Sequence, residues 1–203
     1  PDHINHLDHE GRNQVLIPGI KRGSFQAPII SKTGNSKNLD DSANAWEFRT
    51  RASLKIQDGC DFMCSFCIIP FARGRSRYRD FNNLMEEARL LNEEGVKEIV
   101  LTGVNIGTYL DQGKNLLDII DSLHRLDGPE RIRISSIEPT TVPQGILERM
   151  NDSQHKLVPF LHLPLQSGSD QILQNMKRRY QSREFIQEIQ QAMDQGEGIC
   201  IGT

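Results

Sequence analysis

Residues 52–67 read ASLKIQDGCDFMCSFC, and this stretch determines how the rest of the chain is interpreted. A short apolar run, Ala52 to Ile56, is followed closely by three cysteines, Cys60, Cys64 and Cys67, in the pattern C-x3-C-x2-C. An apolar run bounded by Asp and Gly favours a short strand that ends in a loop. We therefore expect a strand whose following loop carries a thiolate site.

Downstream of the cysteines, strand-like apolar runs alternate with helices that have one apolar face. The predicted strands are 52–56, 99–102, 131–137, 160–163 and 199–201. The predicted helices are marked by Leu84, Ala88 and Leu91, by Leu116, Ile120 and Leu123, by residues 143–150, and by Phe185, Ile189 and Met193. Alternation of this kind implies parallel strands joined by crossover helices. We expect an α/β fold, a partial parallel β/α barrel, with ligands at the carboxyl ends of its strands.

The composition excludes several classes of protein. Of the 203 residues 25% are charged, and no apolar run approaches the roughly 20 residues of a membrane span, so we expect no membrane association. The chain opens without a secretory signal, and three of its four cysteines are clustered, which favours a reducing, cytoplasmic location. The formal net charge of -3 argues against a global positive field, so any contact with nucleic acid has to be local.

The composition of the chain changes near residue 50. Residues 1–50 are polar, with a Ser/Asn/Asp-rich stretch at 31–44, and predict a linker with the remnant of an upstream domain. Residues 51–203 predict the main domain. Because the chain starts at Pro1 and stops on the apolar run 199–203, we expect a fragment whose barrel is truncated at its carboxyl-terminal end.

The cysteine spacing predicts an iron–sulfur site. Thiolates are soft ligands that suit zinc or iron–sulfur clusters, but a structural zinc or a ferredoxin-type cluster uses a fourth ligand that no nearby residue supplies. Three cysteines on a [4Fe-4S] cluster leave one iron open to a chelating molecule such as S-adenosylmethionine (SAM), whose reductive cleavage yields a 5'-deoxyadenosyl radical. Zinc or unreactive thiols are the alternatives. Cys200 lies in an apolar strand and is predicted to be a small buried hydrophobe.

Several longer motifs resemble a known family. They are KIQDGCDFMCSFCIIPFARGRSR at 55–77, EIVLTGVNIGTY at 98–109, RIRISSIEP at 131–139, PFLHLPLQSGSDQIL at 159–173 and MKRRY at 176–180. Together they make the region 51–203 similar to the radical SAM methylthiotransferases, which insert sulfur and a methyl group at a C–H bond. The second, third and last motifs are most similar to the branch that modifies N6-threonylcarbamoyladenosine.

The resemblance implies an enzyme, a transferase that adds a methylthio group to C2 of N6-threonylcarbamoyladenosine at position 37 of tRNA. It also implies an upstream methylthiotransferase domain with a second [4Fe-4S] cluster, of which residues 1–50 would be the remnant. The implied partners are the tRNA anticodon loop and an electron donor such as flavodoxin or ferredoxin. The alternative substrates are isopentenyl-adenosine 37 of tRNA and a ribosomal protein. A non-catalytic iron–sulfur binding module is the alternative from another class.

The resemblance assigns roles to individual residues. Cys60, Cys64 and Cys67 are the predicted metal ligands and catalytic residues. The residues expected to bind SAM are Phe66, Thr102, Gly103, Asn105, Ser136, Glu138, Gln166 and Ser167. All but Phe66 lie at or near the ends of predicted strands, where glycine permits close approach of the backbone and polar side chains can reach a ligand. A plain turn at 102–105 and a solvated Glu138 are the alternatives.

Two basic groups are candidates for contact with RNA. They comprise Arg73, Arg75 and Arg77, with Tyr78 interleaved, and the pair Arg178 and Arg179. Arginine next to aromatic residues suits phosphate contact and base stacking. A solvated basic loop, or an arginine that pairs with the carboxylate of SAM, is the alternative.

Overall fold

The computed structural model describes residues 50–196 and 198–203, residues 23–27 and 29, and the backbone of two short strands at 6–7 and 13–14. The strands are β1 (His6–Leu7), β2 (Asn13–Gln14), β3 (Gly23–Phe25), β4 (Arg51–Lys55), β5 (Gln57–Asp58), β6 (Arg77–Arg79), β7 (Glu98–Thr102), β8 (Leu110–Asp111), β9 (Lys114–Asn115), β10 (Arg131–Ile134), β11 (Phe160–His162) and β12 (Cys200–Gly202). The helices are α1 (Ile69–Ala72), α2 (Phe81–Glu93), α3 (Leu116–His124), α4 (Ile146–Asn151), α5 (Asp170–Asn175) and α6 (Ser182–Gln195).

A parallel sheet forms the centre of the fold. Strands β4, β7 and β10 pair in parallel with β7 in the middle, and β11 pairs in parallel with β12. The two groups of strands join beside β10, because Ile132 N donates to Lys156 O (2.8 Å) and Val158 N donates to Ile132 O (2.9 Å). Five parallel strands therefore follow one another in chain order with helices between them. This confirms the predicted α/β class and the partial parallel barrel.

Helices α2 and α3 cover one face of this sheet because their apolar residues repeat at helical spacing. The buried positions are Leu84, Met85, Ala88 and Leu91 in α2, and Leu116, Ile119, Ile120 and Leu123 in α3. Asp80 caps α2 by accepting from Asn83 N at 2.9 Å, and Asn115 with Asp118 forms a capping box on α3. These helices fix the strands whose carboxyl ends carry the cysteine loop and the loop after β7.

Several sequence-based boundaries need correction. Strand β10 ends at Ile134 instead of 137, since Ile137 N turns away to donate to His162 O (3.1 Å) at the end of β11. The helix predicted at 143–150 begins only after Gly145, whose φ of 93° is left-handed. Met193 was predicted on the apolar face of α6 but is 63% exposed. Cys200 is exposed as well, so its prediction as a buried hydrophobe is wrong.

Part of the predicted linker belongs to the folded core. Strand β3 pairs in parallel with β6, and Phe25 O accepts from Asp80 N at 2.8 Å. Just beyond it, Ala27 N donates to Asn83 Oδ1 at 3.1 Å. Residues 23–27, which lie within the predicted linker, therefore hydrogen-bond to β6 and to the start of α2. Most of the remaining predicted linker lies outside the described residues.

In the part of the chain that the structure describes, no helix combines the length and apolar character required to cross a bilayer. The longest helix there is α6, with 14 residues. A membrane-spanning helix needs about 20 mostly apolar residues.

The amino ends of the central strands are held by one carboxylate. Glu98, whose side chain is 4% exposed, accepts from Arg133 at 2.8 Å and from Arg131 at 3.1 Å, and pairs with Arg51 at 2.9 Å. Glu98 lies in β7, Arg51 in β4, and Arg131 and Arg133 in β10, so the cluster joins all three strands of the β4–β7–β10 group. Burial raises the pKa of Glu98, but the hydrogen bonds from Arg133 and Arg131 outweigh that effect, and the net result is a lowered pKa.

Replacement Glu98→Gln should lower the free energy of unfolding by about 2 kcal/mol at pH 7, because buried charged hydrogen bonds are lost. The folded pKa is below the usual value of 4.5, so this stabilisation is present above pH 4.5 and is lost as the pH falls through the folded pKa. Urea denaturation at pH values from 7 to 3 should show that the difference in unfolding free energy between variant and wild type becomes smaller as the pH falls. Glu130→Gln is the control, since its pair with Lys97 is exposed. An equal loss in both variants would contradict the prediction.

Candidate functional site

The cysteine loop lies between β5 and α1, past the carboxyl end of β4. Cys60 N donates to Gly74 O at 3.1 Å, and Cys67 N donates to Cys64 O at 3.1 Å, so the loop is folded by its own backbone. Gly59 has a left-handed φ of 68°, and a Cβ there would overlap the carbonyl oxygen of Arg75. Only glycine suits that position. The three cysteines are free thiols, each partly buried.

The three thiols are close enough to influence one another. Burial raises the pKa of the Cys60 thiol, the Phe62 amide opposes that rise, and the charges of Cys64 and Cys67 add to it. Within the described residues, no group of three or more His, Cys, Asp or Glu side chains is arranged to hold a single metal ion. Three soft thiolates from one loop are the type of ligand that an iron–sulfur cluster accepts. The cysteines thus fit the group that the sequence predicts.

Gln57 connects the cysteine loop to the loop after β7. Its side chain is fully buried. The amide nitrogen donates to Asp58 O (3.0 Å), Gly59 O (2.7 Å) and Ser76 Oγ (3.0 Å). The amide oxygen accepts from Val104 N and Asn105 N, each at 2.8 Å. One side chain therefore fixes the position of two loops that come from different strands.

The residues predicted after β7 lie beside this connection. Asn105 is 5% exposed, and its side-chain oxygen accepts from Thr141 Oγ1 at 3.1 Å. A Cβ on Gly103 would come within 2.8 Å of the Ile106 side chain, so the backbone approaches its neighbours closely. Thr102 is half-buried at the end of its strand. This loop is packed and hydrogen-bonded, which is more than a plain turn requires.

The predicted residues near β10 and β11 form a second group. Ser136 Oγ lies 2.9 Å from His162 Nδ1 at the ends of the two strands. Gln166 is exposed and has a left-handed φ of 68°, rare for a residue with a side chain. Ser167 Oγ accepts from Ser169 N at 3.1 Å. The structure brings these polar groups to the same edge of the sheet as the cysteine loop.

Glu138 and Arg178 form a buried ion pair next to Cys64. Arg178 Nη2 donates to both carboxylate oxygens of Glu138, at 2.6 and 2.5 Å, and Nη1 lies 3.4 Å from Cys64 Sγ. The Arg178 side chain is 5% exposed and the Glu138 side chain is 11% exposed. Burial raises the pKa of the Glu138 carboxyl, and the charge of Arg178 opposes that rise without cancelling it. The Glu138 side chain is therefore not solvated, and the guanidinium of Arg178, a residue predicted to contact RNA, is held inside this pair.

The other predicted RNA-binding arginines differ in availability. Arg73 and Arg77 pair with the Asp58 carboxylate at 2.7 and 3.2 Å and so help to hold the cysteine loop. Arg75 pairs with Asp61 at 3.6 Å, yet its side chain is 50% exposed. Arg179 is exposed, and its guanidinium lies 3.9 Å from the centre of the Phe62 ring. Arg75 and Arg179 are therefore the members of the set best placed to reach a ligand.

The surface of the cysteine loop is apolar. Its exposed large side chains, and those of the adjoining helix α1, are Met63 (42%), Phe66 (53%), Ile68 (58%) and Phe71 (45%). Phe66, predicted to contact SAM, thus lies on the open side of the loop, between Cys64 and Cys67. An aromatic ring there can pack against a ligand that approaches the cysteines.

Sequence reasoning missed three residues that shape this site. Gln57, Ser65 and Tyr180 all lie within the motifs that resemble the family, but the sequence predicts no role for them. Their contacts are made with loops far away in the chain, which a pattern of neighbouring residues does not encode. The one available signal was a polar residue at the end of an apolar strand, and it applied to Gln57 alone.

The model of the family described as "Radical SAM superfamily" matches residues 54–202. The chain belongs to the radical SAM superfamily. The match spans the cysteine loop, the loop after β7 and the ion pair of Glu138 with Arg178. A [4Fe-4S] cluster and SAM are the cofactors that this family implies, in agreement with the donor set described above.

The chain is similar to curated methylthiotransferases, the family that its motifs resemble. It is 41% identical to "Threonylcarbamoyladenosine tRNA methylthiotransferase MtaB" of Bacillus subtilis (strain 168), over 98% of this chain and 42% of that protein. It is 35% identical to "tRNA-2-methylthio-N(6)-dimethylallyladenosine synthase" of Anaplasma phagocytophilum (strain HZ), over 93% of this chain and 43% of that protein. The chain therefore spans less than half the length of these relatives.

Solved structures show the same fold. A radical S-adenosylmethionine methyltransferase, TsrM, from Kitasatospora setae matches 90% of this chain and 35% of its own, with a TM-score of 0.65 and 16% identity. The cobalamin-dependent S-adenosylmethionine radical enzyme OxsB matches 97% of this chain and 28% of its own, with a TM-score of 0.60 and 14% identity. At these identities the likeness concerns the fold alone.

Replacement Gln57→Leu should lower the free energy of unfolding by about 3 kcal/mol, because it leaves the Val104 and Asn105 amides and two carbonyls buried without partners. Chemical denaturation measures this loss. Gln187→Leu, at an exposed position of α6, is the matched control and should change stability by less than about 0.5 kcal/mol. An equal loss of unfolding free energy in the two variants would show that the buried hydrogen bonds of Gln57 do not stabilise the fold.

Proposed function

We propose that the complete protein is a radical SAM tRNA methylthiotransferase and that this chain contains its radical core. The observation that carries the proposal is the loop of three partly buried, free cysteines at the carboxyl end of a parallel sheet. Relatives with 35% and 41% identity are named as enzymes that act on tRNA in this way. Neither observation favours the alternative of a non-catalytic iron–sulfur module.

In this proposal the cysteines hold the cluster and the strand ends hold SAM. When bound, the pair supplies a 5'-deoxyadenosyl radical that can remove hydrogen from an unactivated carbon. Cys60, Cys64 and Cys67 bind three irons, Phe66 packs against the cofactor, and polar groups from the loops after the strands orient it. These are Thr102, Gly103, Asn105, Ser136, Glu138, Gln166 and Ser167.

The substrate in the proposal is the anticodon loop of tRNA. Support comes from the exposed guanidiniums of Arg75 and Arg179 beside an apolar, aromatic surface, a combination suited to phosphate contact and base stacking. Because Arg73 and Arg77 pair with Asp58, they serve RNA mainly by shaping this surface. An electron donor such as flavodoxin or ferredoxin, a second cluster in an upstream domain and a cytoplasmic location complete the proposal.

The proposed base is N6-threonylcarbamoyladenosine at position 37. The motifs after β7, after β10 and after α5 support this branch, as does the 41% identity to the Bacillus subtilis relative over nearly the whole chain. Isopentenyl-adenosine is the second candidate. It is favoured by the Anaplasma phagocytophilum relative, which the chain matches over 93% of its length.

Anaerobic reconstitution of the complete protein should give a brown product, and Cys64→Ala should remove about four irons from it. With a strong reductant, the wild type should release 5'-deoxyadenosine and Cys64→Ala should not, because the radical core has lost a ligand. Iron analysis and chromatography measure the two effects. Cys200→Ala, at the exposed cysteine outside the loop, is the control and should retain both. A colourless wild type with one zinc would refute the proposal.

Deletion of the gene should remove the 2-methylthio group from one modified nucleoside of tRNA. Mass spectrometry of digested tRNA should show loss of 2-methylthio-N6-threonylcarbamoyladenosine while the isopentenyl derivative stays at its wild-type level. The opposite pattern would assign the protein to the second candidate substrate. A tRNA pool with neither mark changed would exclude tRNA and direct attention to ribosomal proteins.

A further inference from the structure

The turn that follows α5 is docked on the cysteine loop. Ser65, which lies between two of the cysteines, donates its amide to Met176 O at 3.1 Å and its hydroxyl to Asn175 O at 2.9 Å. Lys177, the next residue of the turn, has a left-handed φ of 56°. That conformation ends the helix and directs the following residue back towards the cysteines. The two chain segments, more than 100 residues apart, therefore form one unit.

Arg178 is the residue that this turn delivers to the cysteines. Its Nη1 lies 3.4 Å from Cys64 Sγ, and its Nη2 is held by Glu138. The guanidinium carbon lies 5.1 Å from the centre of the Tyr180 ring, and the Tyr180 hydroxyl donates to Leu165 O at 2.6 Å. A guanidinium that is fixed on several sides and 5% exposed cannot move freely into solvent.

The contact distinguishes Cys64 from Cys60. Cys60 Sγ accepts from a backbone amide, that of Phe62, at 3.3 Å. Cys64 instead faces a side chain with a full positive charge. Charge-assisted hydrogen bonds are stronger than neutral ones, and burial reduces screening by water and salt. Arg178 can therefore act on one sulfur far more than a solvated cation could.

We propose that Arg178 is a positioning residue that fixes the Cys64 side chain and raises the reduction potential of the cluster that Cys64 binds. The inference rests on the proposed function, since it requires that the three cysteines hold the cluster. Reduction adds negative charge to the cluster and its sulfurs. A buried cation and an N–H donor next to one sulfur stabilise that reduced form, and hydrogen bonds to the sulfurs are a known determinant of cluster potential.

Glu138 limits how far Arg178 raises the reduction potential. Its carboxylate pairs with Arg178 at 2.5 Å and offsets part of the positive charge. Removal of the carboxylate should therefore act in the opposite direction to removal of the guanidinium. This reversal of sign is specific to a charge effect at the cluster, because a general loss of packing would not depend on which charge is removed.

The test measures the midpoint potential of the cluster in the complete protein by anaerobic redox titration followed by electron paramagnetic resonance. Arg178→Gln should shift the potential to a more negative value. The potential of Arg178→Lys should lie between those of Arg178→Gln and the wild type. Glu138→Gln should shift it to a more positive value. Lys177→Gln removes the same charge at an exposed neighbouring residue and should leave the potential unchanged.

Iron content keeps the test decisive if the cluster is lost. If the Arg178→Gln protein keeps its helical circular dichroism but loses its iron, the result supports the positioning role. The potential is then measured on Arg178→Lys instead. Equal potentials in Arg178→Gln, Lys177→Gln and wild type would overturn the inference. So would a shift of the same sign in Arg178→Gln and Glu138→Gln. Failure of the proposed function looks different, because the wild type itself would then hold no cluster or would release no 5'-deoxyadenosine.

Discussion

The site depends on the buried amide of Gln57, which continues the pairing of β4 and β7 past the end of the strands. The paired residues of β4 and β7 end at Lys55 and Thr102, and one more hydrogen bond follows, from Ile56 N to Thr102 O (2.9 Å). Beyond that point the two backbones diverge into different loops. An amide can hold both loops because it donates to one and accepts from the other. A carboxylate only accepts, and an aliphatic side chain does neither.

The parts of the fold that follow from local periodicity could be predicted from the sequence. The apolar positions of α2 and α3 and the parallel strands are of this kind, and so is the spacing of the cysteines. Predictions that depended on tertiary surroundings were less accurate. Met193 continues an apolar face but is exposed, and Cys200 lies in an apolar run but is exposed. Burial at the margin of a sheet depends on what packs there, which periodicity does not contain.

Ion pairs between distant residues are hard to predict from the sequence. The basic groups predicted to contact RNA contain, or directly adjoin, arginines whose guanidiniums are buried in ion pairs inside the protein. Arg79 forms a buried ion pair with Glu87, and Arg178 forms one with Glu138. The side chain of Arg79 is 1% exposed, so an arginine in a basic run can serve the core alone. Such an arginine pairs with a carboxylate elsewhere in the chain that is buried beside it. The residues next to the arginine in the sequence do not reveal that partner.

The hydrogen bonds that fold the cysteine loop have a consequence for how the cluster is loaded. The loop is closed by its own backbone, fixed by Gln57 on one side and bound through Ser65 on the other. Its conformational entropy is therefore lost when the chain folds and not when metal arrives. The metal-free protein presents three thiols in a preorganised frame, so that most of the free energy of thiolate ligation remains available for affinity.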